Sequence, residues 1–117
     1  MFYKLVSPMM TSIHGVSEFL VDYKVGQWAT PPIEGSKLFV FGNYDDAMFF
    51  MGQQKSILFQ CEVVNPTPIT KATYPVWMFE FWRGETVKEL YLPQGTFGCD
   101  SVKVTEAIAS SLPRQLL

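Results

Sequence analysis

Charge is scarce in this 117-residue chain: Asp, Glu, Lys and Arg make up only 17%, and the net charge is −2. The nine basic residues are scattered singly, with no stripe or cluster. Duplex nucleic acid is therefore not an expected partner, because phosphate binding needs a concentrated basic surface. There is one histidine, His14, in a loop-like stretch before Gly15. A lone histidine without an obvious acid or nucleophile beside it reads as a turn residue rather than a catalytic base. The two cysteines, Cys61 and Cys99, form no CxxC pair, so a zinc site is not expected. In a chain long enough to build its own core they read as free buried thiols rather than a disulfide framework. GxGxxG and GKS/T phosphate loops are absent. No apolar run reaches the length that crosses a bilayer. The opening MFYKLVSPMM is interrupted by Pro8 and lacks a continuous apolar segment, so no secretory signal is expected. Together these features predict a cytoplasmic protein without membrane association, metal or cofactor.

Aromatic residues are abundant instead: ten Phe, five Tyr and three Trp. Such a chain cannot bury them all, and the surplus favours an interface, a groove or an oligomer. By length it is one domain, residues 1–117.

Residues 37–66 carry the clearest local code. Leu38-Phe39-Val40-Phe41 has the unbroken apolarity of a strand covered on both faces. Asn43 suits a helix N-cap, and Asp45 and Asp46 then face the positive end of the helix dipole. Tyr44, Ala47, Met48 and Met51 fall at i, i+3, i+4 and i+7, and Gly52 stands where a C′ glycine belongs. Phe49 and Phe50 predict a helix buried more deeply than a surface one. Residues 57–64 then alternate, with Ile57, Phe59, Cys61 and Val63 forming a wholly apolar face. Residues 65–68 read as a turn.

Elsewhere, residues 2–6 predict a first strand. Residues 16–25 fit a helical stripe through Val16, Phe19, Leu20 and Tyr23, or a strand over 19–25; the turn at Gly26 favours the strand. Residues 27–36, with Trp28 and Pro31-Pro32, predict a long surface loop. Residues 76–82, VWMFEFW, predict an aromatic strand, and 86–92 its hairpin partner. Residues 96–104 predict a last strand bulged at Gly98, followed by a terminal helix over 105–112. The expected fold class is α+β, a compact domain with a mostly antiparallel sheet of about five to seven strands and one or two short helices.

Candidate site residues are Tyr23, Trp28, Tyr44, Trp77, Glu80 and Trp82. Trp and Tyr anchor interfaces, and their rings can also stack on a base. Glu80, a carboxylate inside an aromatic strand, becomes a candidate acid if it lines a pocket. Asp45 and Asp46 are already explained as cap residues, and no catalytic residue is assigned.

The strand–helix–strand run LFVFGNYDDAMFF…SILFQCEVVNP, with Ala47 and Phe50 in its helix, resembles the corresponding segment of small ADP-ribosyltransferase-like domains. Tyr23, Gly26 and Trp28, then Gly95-Thr96 and Asp100-Ser101-Val102, resemble elements of short phage and bacterial proteins. The resemblance implies a nucleotide-handling fold, with Arg or His expected on the first strand and Glu on a late one. The first strand here offers Lys4, which lacks the planar fork of Arg. Two functions follow. The leading one is a small non-enzymatic binding protein, of the viral or mobile-element accessory kind, that uses an aromatic surface to meet a protein partner or itself. The alternative is a transferase-like or other nucleotide-binding enzyme with Glu80 in its pocket.

Overall fold

The computed structural model describes residues 1–12, 20–32, 36–52, 55–73 and 89–111. Its centre is a seven-stranded sheet in which every pairing is antiparallel. The strands are β1 (Phe2–Val6), β2 (Trp28–Ala29), β3 (Leu38–Phe41), β4 (Ile57–Val64), β5 (Thr67–Pro68), β8 (Thr96–Cys99) and β9 (Ser101–Ser110). Across the sheet they run β2-β9-β4-β1-β3-β8-β5. A two-stranded ribbon, β6 (Lys71–Thr73) with β7 (Glu89–Tyr91), continues from the β5–β8 edge. Bonds from Ile69 N–H to the Thr96 carbonyl and from Leu92 N–H to the Thr70 carbonyl join the two pairings. The radius of gyration, 14.0 Å, is close to the roughly 13 Å of a compact domain this long. The fold is mainly β, with α1 (Tyr44–Met51) the single helix among the described residues. The α+β expectation holds only in part.

Strand periodicity divides the core into two layers. Lys4 and Val6 of β1, Leu38 and Val40 of β3, Phe59 and Cys61 of β4, and Val102 and Val104 of β9 share one face. Val21 and Tyr23 cover part of that layer. Leu5, Phe41 and Leu58 point the opposite way and meet Ala47 and Met51 of α1. The apolar run of β3 therefore does face cover on both sides.

Helix α1 begins as its sequence dictates. Asn43 is extended, and its side chain accepts from the Asp46 amide at 3.1 Å. Ala47 and Met51 face the core as their spacing predicts, whereas the expectations for Gly52 and Phe49 are corrected. Gly52 keeps a right-handed φ of −62° while its N–H donates to the Met48 carbonyl, so no left-handed cap forms. Phe49 is 75% exposed. It lies two residues from Ala47, about 200° around the helix, and so points away from the sheet. Phe50 lies on the nearer flank and packs on Phe41, ring centroids 5.7 Å apart.

Other readings change as well. Residues 105–110 are strand, not helix: β9 runs unbroken to Ser110 along the whole of β4. Residues 96–104 are two strands separated at Asp100. Thr67–Pro68 is a strand rather than a turn. It occupies the sheet's outer edge, where a proline without an N–H is tolerated. Residues 20–25 form no strand; Asp22 makes one isolated bridge to Thr11. Within the supposed loop over 27–36, Trp28–Ala29 pairs with β9. The predicted strand over 76–82 lies outside the described residues, and β7 finds its partner in residues 71–73.

Candidate functional site

Trp28 owes its position to a short edge pairing. Trp28 stands opposite Lys103 and Ala29 opposite Val102. Val102 is buried in the layer that holds Tyr23, so Lys103 and Trp28 project from the other face, the one α1 partly covers. Lys103 stands opposite Glu62 in turn and pairs with it at 2.7 Å. The Lys103 ammonium lies 5.1 Å from the Trp28 ring centroid. A row of indole, ammonium and carboxylate thus crosses three strands. Trp28 is 49% exposed, and Val64, two residues beyond Glu62, is also exposed. Helix α1 packs elsewhere on the face, over Leu5, Phe41 and Leu58.

Tyr44 opens α1. It is 42% exposed and meets Tyr3 edge-on, with centroids 5.8 Å apart. Tyr3 stands opposite Gln60 on β1, so it shares the face of Trp28. Three strand spacings, about 14 Å, separate the strands that carry these aromatics. Tyr23 is elsewhere: 2% exposed, in the opposite layer. The fold therefore brings Trp28 and Tyr44 to one face without contact and places Tyr23 in the core. Trp77, Glu80, Trp82 and His14 lie outside the described residues.

Around Tyr23 lies a polar centre formed with Lys4, a pairing that the sequence does not foretell. Lys4 is 9% exposed, inside the apolar layer. Its ammonium donates to the Phe39 carbonyl at 2.7 Å and sits 5.2 Å from the Tyr23 ring centroid. The Tyr23 hydroxyl is buried with no hydrogen-bond partner among the described residues. A signal for the burial of Lys4 was available: in FYKLV the charged residue shares its face with Phe2 and Val6.

Cys61 and Cys99 are free thiols in the same layer. Burial pushes the Cys61 thiol up to about 12, against a smaller opposing pull from Lys4. Burial likewise raises Cys99 to about 11. Both therefore stay neutral and unreactive near pH 7. Among the described residues no group of three His, Cys, Asp or Glu side chains is placed to hold a metal ion. No helix there is long and apolar enough to cross a membrane.

No protein-family model, curated protein or solved structure matches the chain.

Proposed function

We propose that this protein is a non-enzymatic binding module whose partner is a second copy of itself, docked through the open sheet face around Trp28. The observation that carries the reading is the Trp28–Lys103–Glu62 row. Half-exposed Trp is the residue type most enriched at the energetic centre of interfaces. The row also carries one charge of each sign. Under a two-fold axis the same patch meets itself, and Lys103 of one copy can face Glu62 of the other. A surface of one sign would repel its own copy; this one is self-complementary. Exposed Val64 on the same face extends the apolar area.

Sedimentation velocity across a protein concentration series tests the reading. The wild type is expected to sediment as a dimer at tens of micromolar, and Trp28→Ser as a monomer with an unchanged thermal midpoint. A wild type that stays monomeric at several hundred micromolar overturns it. The transferase-like alternative turns on Glu80, which lies outside the described residues.

A further inference from the structure

The Lys4–Tyr23 centre lies on the opposite layer from Trp28 and stands independently of the dimer. A buried ammonium is normally paired, since removing an ion from water costs several kcal/mol. Among the described residues Lys4 has no carboxylate partner: the ion pairs there join Lys37 to Asp100 and Lys103 to Glu62. Of its three N–H donors, the described hydrogen bonds use one, to the Phe39 carbonyl. The nearby thiols supply no counter-charge, because burial keeps them protonated. Beside the ammonium, the ring of Tyr23 carries a buried hydroxyl with no partner. Two N–H donors of Lys4 and the Tyr23 hydroxyl therefore have no acceptor among the described residues.

We infer that this centre binds a small organic carboxylate with an apolar tail, its oxygens accepting from the Lys4 ammonium and the Tyr23 hydroxyl. The charge argues for a monoanion. One ammonium compensates one carboxylate, whereas a phosphate dianion would carry a second, unpaired charge into the core. The surroundings argue for the tail. Val6, Val21, Val40 and Phe59 pack in this same layer and offer no further polar group. Access does not require the sheet to open. Val21 and Tyr23 belong to a separate cover, held by bonds from Ser12 N–H to the Val21 carbonyl and from Tyr23 N–H to the Met10 carbonyl, and by the Thr11–Asp22 bridge. Those contacts lie outside the ladders of β1 with β3 and β4.

Isothermal titration and thermal shift with sodium hexanoate test the site, with sodium acetate and 1-hexanol as the tail-free and charge-free arms. Hexanoate is expected to bind in the millimolar range and to raise the midpoint by mass action. Acetate and hexanol should each bind about tenfold more weakly, the usual loss when a charged hydrogen bond or the apolar contact is missing. Lys4→Met should remain folded and lose the hexanoate response, and Tyr23→Phe should weaken it several-fold. Carboxyl-labelled hexanoate read by NMR tests the wild type without any variant: cross-relaxation to the Tyr23 ring is expected. No hexanoate binding at 20-fold higher concentration than expected, or equal binding of hexanol, overturns the inference. So does an undiminished response in Lys4→Met; a centre filled only by water gives the first of these results.

Discussion

The amide of Gly42 donates to the carbonyl of Gly95 at 3.0 Å. This bond ties the end of β3, just before α1, to the turn that opens β8. Gly95 holds a φ of 82°, and a Cβ there would collide with the carboxylate of Asp46 in the first turn of α1. Gly95→Ala is therefore expected to destabilise the protein by about 1–3 kcal/mol, the cost of a strained left-handed residue. Urea denaturation should show a lower midpoint at unchanged slope.

The N-cap of α1 supplies a second test. Asn43→Ala removes the acceptor of the Asp46 amide. A loss of about 1 kcal/mol is expected. Asn43→Asp should recover most of it, because a carboxylate also caps and adds charge at the positive helix end.

Alkaline pH provides a third. Unfolded thiols ionise near 9.0, whereas Cys61 and Cys99 hold their protons to about 12 and 11 when folded. The folded state thus binds more protons than the unfolded state above pH 9. Stability is full below pH 9 and falls as pH rises toward 12. Replacing both cysteines by Val should flatten that decline. Ellman's reagent at pH 8 should react slowly with the native protein and at once with the unfolded chain.

Asp100 gives the opposite sign. Hydrogen bonds from Lys37 and Asn65 hold its carboxyl below the ordinary carboxylate value. A depressed folded value means stability that is present above the ordinary range and disappears as pH falls through it. Asp100→Asn should destabilise at pH 7, and the difference from wild type should shrink below about pH 4, measured by urea titration at each pH.

The legible parts of this fold were those in which local and tertiary signals agree. Asn43, the acidic first turn and the Ala47–Met51 spacing all specify α1. Alternation in residues 57–64 separates Leu58 from Phe59 and Cys61 as the two layers require. Residues 105–110 hid their structure for a definite reason. Against β4, β9 carries an extra residue at Thr105 and another at Ile108. Each bulge shifts the alternation by one, so the period-2 signature is erased and a helical reading fits equally well. At the candidate site, Trp28 was visible as an aromatic but its edge pairing was not. That pairing depends on Lys103, 75 positions away, which no local window contains. Lys4 stands out in the sequence only as a poor substitute for Arg on the first strand; its burial follows from the partners of β1.

The strand order has a consequence for how the chain reaches its native state. No two neighbours in the seven-stranded sheet are consecutive in the sequence. Strand β1 lies between β3 and β4, with Phe2 opposite Cys61 and Tyr3 opposite Phe41. Every ladder of that sheet must therefore close a long loop before its contacts repay the entropy. As the chain leaves the ribosome, β1 must wait unpaired until its neighbours have been synthesised. Refolding in milliseconds to seconds is the expected regime for such non-local pairing.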